Sequence, residues 1–197
     1  MQISNKHVRF FLIGIIISFA TTILTGYIFY GFKIFMNTMA PTQIMMNATG
    51  GALFFYILKY FNLKIAVPVL AVVMFSFWLF YSYDGTLYCL VKMTLFFFAL
   101  GMALYIYHKF VFNQFYWILR PFVLAIIFGL ADVFLFLGLQ TIVRVVIKSS
   151  AFDSIIYIYE FIYGVISGFG LGVGIEISDY LTTKLSGEKK ETPEAVK

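Results

Sequence analysis

The chain has 197 residues, of which 62% are hydrophobic, 21% aromatic and only 12% charged, with a formal net charge of +5. Soluble domains are roughly 45–50% apolar and about 25% charged, so this composition excludes a water-soluble enzyme and a disordered chain. Cys89 is the single cysteine, which also excludes a disulfide scaffold. The class that remains is an integral membrane protein. Its apolar runs are long, so we predict that it is all-α.

Six apolar stretches are long enough, or nearly long enough, to cross the hydrocarbon core of a membrane, which takes about 20 residues. Prolines, glycines and polar residues separate the stretches, and these residue types favour turns and helix ends. We therefore predict one bundle of six transmembrane helices. The predicted spans are Phe10–Gly31, Gln43–Phe61, Ile65–Tyr83, Leu87–Tyr107, Pro121–Ile147 and Ser154–Ile175.

Lys and Arg residues near the span ends predict the orientation, because cytoplasmic loops are enriched in them. With the N-terminus inside, ten of these residues fall on the cytoplasmic side and four on the outer side. This bias favours both termini in the cytoplasm of a bacterial-type inner membrane. Residues 1–185 then form the single transmembrane domain, and residues 186–197 form a charged cytoplasmic tail that is predicted to be disordered.

The second span is the least apolar of the six. Asn47 and Thr49 can hydrogen bond across helices, and Gly50 and Gly51 permit a kink or a close backbone approach. A polar, interrupted half-helix near an entrance is a common element of binding sites in transporters. Asn47 is therefore a candidate residue for a substrate path.

Asp132 lies near the middle of the fifth span, in otherwise apolar surroundings. Its position is roughly 18 Å from Arg120 and 22 Å from Ile147 along a helix. Ionisable residues at such depth cost about 2.5–3.5 kcal/mol on insertion scales and usually face the bundle interior or water. We interpret Asp132 as a proton, cation or substrate contact, or alternatively as an interhelical hydrogen bond that fixes packing. Gln140, two turns farther along, extends the polar face outward.

Lys92 and Glu160 lie at matching depths near the outer ends of the fourth and sixth spans. They can form an ion pair in a shallow outer vestibule, and snorkelling of Lys92 to the surface is the competing interpretation. Glu176 and Asp179 are at the opposite end of the sixth span. We interpret these two acids first as a solvated helix end, and second as a contact for a partner or an ion.

Gly164, Gly168 and Gly172 recur every four residues in the sixth span. This small-xxx-small pattern predicts a face on which another helix packs closely. The pattern does not specify whether that helix belongs to this chain or to another one. Other membrane subunits, or a second copy of the chain, are therefore candidate partners through the sixth helix, beside the lipid bilayer.

The sequence contains no motif of a hydrolase, kinase, phosphate loop or metalloprotease. His7 and His108 are predicted near the cytoplasmic surface, so they do not form a haem site in the core, and no Cys/His cluster indicates zinc or iron–sulfur. We expect no catalytic residue, metal, cofactor or nucleic-acid partner.

The favoured function is a small membrane transport protein, or the substrate-binding membrane subunit of a transporter, for a small polar or amphipathic solute. The alternatives are a non-catalytic structural or assembly subunit of a larger membrane complex, an oligomeric channel and, last, a membrane enzyme that acts on lipid. The residues predicted to line the solute path are Asp132, Gln140, Asn47, Lys92 and Glu160.

Overall fold

The computed structural model describes residues 5–30, 41–81, 98–112, 114–147 and 155–185. Within these ranges the chain forms six helices and no strand, which confirms the all-α class. The helices are α1 (Asn5–Tyr30), α2 (Pro41–Tyr60), α3 (Leu63–Tyr81), α4 (Phe98–Val111), α5 (Arg120–Ile147) and α6 (Ile155–Leu185).

The break between α2 and α3 is formed by Phe61 and Asn62. The side-chain Oδ1 of Asn62 accepts a hydrogen bond of 3.1 Å from the backbone N–H of Ile65, so Asn62 caps the start of α3. At the other end of the chain, α6 continues ten residues beyond the predicted end of the sixth span at Ile175. The prediction ended there because two acids follow, and the structure buries both of them.

Two of the described helices are long and apolar enough to cross a membrane, over residues His7–Phe29 in α1 and Phe161–Lys184 in α6. Two shorter apolar segments, Leu63–Val73 and Phe98–Val111, lie in α3 and α4. Length and composition thus support membrane insertion for two helices of the described part.

α6 packs most extensively against α5 and α1, with a smaller contact to α2. Its Ser178 hydroxyl donates a hydrogen bond to the carbonyl of Phe10, near the start of α1. Near the same end of α6, Glu176 binds residues from the end of α4 and the start of α5. Helices α1 and α5 therefore run antiparallel to α6, whereas α2 and α4, whose ends meet the end of α6, run parallel to it.

One end of the bundle gathers the starts of α1, α3 and α5 with the ends of α2, α4 and α6, and we call it the charged end. Its core is aromatic: the buried ring of Phe55 on α2 lies 5.7 Å from that of Tyr107 and 5.1 Å from that of Phe112, measured between ring centroids. Rings at these separations are favourably packed, and they join α2 to the end of α4.

Candidate functional site

The glycines of α6 form two faces that contact two different helices. On the first face, a Cβ added at Gly168 would lie 2.6 Å from Cβ of Phe128 and 2.8 Å from the carbonyl oxygen of Leu124. A Cβ added at Gly172 would lie 2.7 Å from Cα of Pro121. These distances leave no space for a side chain, so the backbones of α5 and α6 touch along this face.

The second face of α6 lies against α1. Added Cβ atoms at Gly170 and Gly174 would each lie 2.8 Å from a backbone nitrogen of α1, that of Thr22 and of Ser18 respectively. Both glycine faces are thus occupied by helices of the same chain. An interaction with another subunit through either face would require α1 or α5 to move away.

Sequence reasoning missed the α1 half of this contact. The first span carries the same pattern as the sixth span: small residues recur every four positions and are buried in α1, namely Gly14, Ser18, Thr22 and Gly26. This spacing would have predicted that α1 packs closely against another helix. The first span is otherwise so apolar that its small residues did not stand out.

Asp132 lies between α5 and α6, with only 5% of its surface exposed. A Cβ added at Gly164 would lie 2.8 Å from Oδ2 of Asp132 and 2.7 Å from Cα of Gly129. Gly164 therefore makes room both for the close approach of the two helices and for the carboxylate. A buried acid in the middle of a helix–helix interface is a candidate site for a polar ligand.

The other predicted path residues are described only in part. Asn47, Gln140 and Glu160 lie within α2, α5 and α6, and their side chains are outside the described part of the structure. Lys92 lies entirely outside the described residues, so its predicted ion pair with Glu160 stays a prediction.

Asn47 and Asp132 lie at similar distances from the charged end, as their backbone positions show. Asn47 precedes Lys59 by twelve residues, and Asp132 follows Arg120 by twelve. Lys59 and Arg120 both lie at the charged end, where they pair with acids of α6. At 1.5 Å per residue, Asn47 and Asp132 are both about 18 Å along their helices from that end.

A network of ion pairs occupies the charged end. Glu176 and Asp179 are 5% and 7% exposed, so the interpretation of these acids as a solvated helix end is wrong. Lys59 pairs with Asp179, and Nη1 of Arg120 lies 3.3 Å from Oε2 of Glu176. Burying a carboxylate without a partner is costly, and the converging helices supply one cation for each acid.

Tyr107 and Phe112 complete this network. The Tyr107 hydroxyl donates a hydrogen bond of 2.7 Å to Oε1 of Glu176. The Phe112 ring lies 5.0 Å from the ammonium of Lys59 and 4.9 Å from the guanidinium carbon of Arg120, which is cation–π geometry for both. One aromatic ring thus contacts both cations.

The last turn of α4, Tyr107–Val111, is a π-helix, in which the N–H of Phe112 bonds the carbonyl of Tyr107 at 2.9 Å. The wider turn brings residues five apart closer to one side of the helix than an α-helix would. This geometry lets Tyr107 and Phe112 both face the network. No sequence pattern predicts the π-helical turn. The signal for the network itself was the pair of acids at the C-terminal end of α6, where they oppose the helix dipole unless cations approach.

No protein-family model, curated protein or solved structure matches the chain. In the ranges that the structure describes, no group of three or more His, Cys, Asp or Glu side chains is placed to hold a metal ion. The site is therefore defined by its own geometry: a buried acid between α5 and α6, and a paired ionic network at the charged end.

Proposed function

We propose that the chain is an integral membrane protein that crosses a bacterial-type inner membrane six times, with the charged end on the cytoplasmic side. The exposed cations at this end support the orientation, because cytoplasmic surfaces are rich in Lys and Arg. They are Arg9, Lys64, Lys109 and Lys184.

The lateral surface of the bundle supports insertion. Two helices expose large apolar side chains mostly at four-residue spacing, and such stripes are unfavourable in water but match the acyl chains of a bilayer. The exposed residues are Leu12, Ile16, Leu24 and Ile28 on α1, and Phe122, Ile126, Leu130, Phe134 and Leu137 on α5.

Within this membrane we propose that the protein transports a small polar or amphipathic solute, or forms the substrate-binding membrane subunit of a transporter. The observation that carries this proposal is the burial of Asp132 in mid-helix, with its carboxylate beside the Gly164 backbone of a neighbouring helix. A carboxylate held at this depth favours a coupling ion or a cationic group of a solute.

The packing closes the α5–α6 interface between Asp132 and the charged end. Between Asp132 and the charged end, α5 and α6 touch at Gly168 and Gly172. Beyond that contact lies the Arg120–Glu176 ion pair. A solute that moved along this interface toward the charged end would have to separate the two helices and break the pair, so the described conformation is closed toward the charged end.

The remaining path residues are part of the same proposal. Asn47 on α2 is about as far from the charged end as Asp132 is on α5. Gln140 follows Asp132 by eight residues, toward the proposed outer end of α5. Lys92 and Glu160 belong to the outer mouth of the path as the sequence predicts it.

Native mass spectrometry of the gently solubilised protein tests the transport proposal. We expect a bound small molecule in the wild type, and its loss in Asp132→Asn, which removes the charge with little change in volume. Thr141→Ala is the matched control, because Thr141 is an exposed polar residue of the same helix that bonds only the carbonyl of Leu137 among the contacts described.

The same spectra distinguish the alternatives. A solute that persists in Asp132→Asn would contradict the role of Asp132. A stoichiometric second membrane protein, with no solute, would favour the structural or assembly subunit. A symmetric oligomer of this chain would favour the channel.

A further inference from the structure

The turn between α4 and α5 exposes an unbroken run of large apolar side chains, and we call residues 115–119 the aromatic turn. Each of them is between 45% and 74% exposed. They are Phe115, Tyr116, Trp117, Ile118 and Leu119. Such a run is unusual on a surface in water, so it indicates contact with something apolar.

The backbone of the aromatic turn is ordered by hydrogen bonds. The N–H of Phe115 bonds the carbonyl of Val111 at 3.0 Å, and the N–H of Leu119 bonds that of Tyr116 at 2.9 Å. Nε of Arg120 donates to the carbonyl of Phe115 at 2.8 Å. The side chains are thus presented by a fixed turn. Its other backbone groups, in a segment that is not helical, favour the hydrated edge of a bilayer over its hydrocarbon core.

The charges around the aromatic turn have one sign. Among the described residues of the charged end, the exposed charged side chains are all cations, whereas Glu176 and Asp179 are buried and paired. Lys109 is the exposed cation nearest to the turn in the sequence, and its ammonium lies 5.2 Å from the ring of Phe110 and 5.8 Å from that of Tyr105. Two aromatic rings of α4 thus contact this charge, which lies six residues before the turn in the sequence.

We propose that the aromatic turn lies in the headgroup layer of the cytoplasmic leaflet and, together with Lys109, binds anionic phospholipid headgroups. The inference rests on the membrane insertion proposed above. Tyr and Trp prefer this layer because one end of each ring system is polar, and basic residues there attract anionic lipids. A second copy of the chain fits less well, because it would bring another cationic face against this one.

Fluorescence of Trp117 in vesicles tests this inference. The chain has two tryptophans, Trp78 and Trp117, so Trp78→Phe leaves Trp117 as the only reporter. This variant is reconstituted in two sets of phosphatidylcholine vesicles. One set carries acyl-brominated phosphatidylglycerol, and the other carries acyl-brominated phosphatidylcholine at the same mole fraction. Bromine quenches only nearby indoles, so the difference reports enrichment of the anionic lipid at the turn.

We expect Trp117 to be quenched by both lipids, more by shallow than by deep bromines, and more by phosphatidylglycerol. One basic residue near an anionic leaflet contributes about 1 kcal/mol, which corresponds to about a fivefold enrichment. In the Trp78→Phe background, Lys109→Gln should remove most of the preference for phosphatidylglycerol, and Lys109→Arg should retain it.

Other results would overturn the inference in distinguishable ways. Equal quenching by the two lipids would refute binding of anionic headgroups. If Trp117 is not quenched by either lipid while Trp78 is quenched in the Trp117→Phe variant, the turn is covered by protein or water and insertion itself stands. If neither tryptophan is quenched, the membrane insertion proposed above fails as well.

Discussion

The hydroxyl of Tyr107 donates a hydrogen bond of 2.7 Å to Oε1 of Glu176, two residues that lie 69 positions apart in the chain. Both are buried, and Arg120 binds the other oxygen of the same carboxylate at 3.3 Å. One carboxylate on α6 thus joins the end of α4 to the start of α5. Hydrogen bonds to charged groups contribute roughly 1.5–3 kcal/mol, so this contact is a substantial part of the stability of the charged end.

Tyr107→Phe tests that contribution. The ring is retained against Phe55 and Phe112, and only the donor to Glu176 is lost. We expect the free energy of unfolding to fall by about 1.5–3 kcal/mol, measured by titration of the purified protein with a denaturing detergent. Tyr116→Phe is the control, because Tyr116 is 74% exposed. Equal stability of the two variants would contradict the assignment.

The Lys59–Asp179 pair predicts a non-additive pair of mutations. Lys59→Met leaves the Asp179 carboxylate buried without its cation, which should lower the free energy of unfolding by up to about 3 kcal/mol. The double variant Lys59→Met/Asp179→Leu removes both charges and should be more stable than Lys59→Met alone. If the double variant instead shows the sum of the two single losses, the charges do not interact across α2 and α6.

Gly168→Ala tests the close contact of α5 and α6. The added methyl group would meet Cβ of Phe128 and the backbone of Leu124, so the helices must separate, at a cost of about 1–3 kcal/mol. Gly138→Ala is the matched control in α5, where an added Cβ has no atom within 4 Å. It should be neutral or stabilising by up to about 1 kcal/mol, because Ala favours a helix over Gly. Thermal unfolding of both variants in the same detergent compares them directly.

The helix cap at Asn62 gives a prediction for the α2–α3 break. Asn62→Ala removes the acceptor for the N–H of Ile65 and should destabilise the protein by about 1 kcal/mol. Asn62→Asp keeps an oxygen at that position and should retain most of the stability. If Asn62→Ala unfolds at the same temperature as the wild type, the cap contributes nothing to the fold.

Sequence reasoning found the helical class and the polar break at Asn62, because long apolar runs and turn residues are local properties. It also pointed to close helix packing at Gly168, but the spacing of one helix cannot name its partner, and the contact with α5 emerges only from the structure. The six crossings stay a prediction, since two of the described helices meet the length and composition test.

The ionic network at the charged end could not be predicted from the sequence for a related reason. Lys59 and Asp179 are 120 residues apart, and nothing local indicates that the end of α2 meets the end of α6. The acids were interpreted as solvated because an unpaired carboxylate at a helix C-terminus normally faces water. Only the convergence of several helix ends turns the same residues into a buried set.

The two glycine faces of α6 restrict how this helix can move. Ser18 of α1 lies at Gly174 and Thr22 at Gly170, so the helix cannot roll without driving a side chain into a neighbouring backbone. Small residues repeat every four positions of α1, so a shift of α6 by one turn, about 5.4 Å, would again place a small residue opposite each of these glycines. Such a shift would have to break the ion pairs of Glu176 and Asp179, so these pairs stabilise the present register of α6.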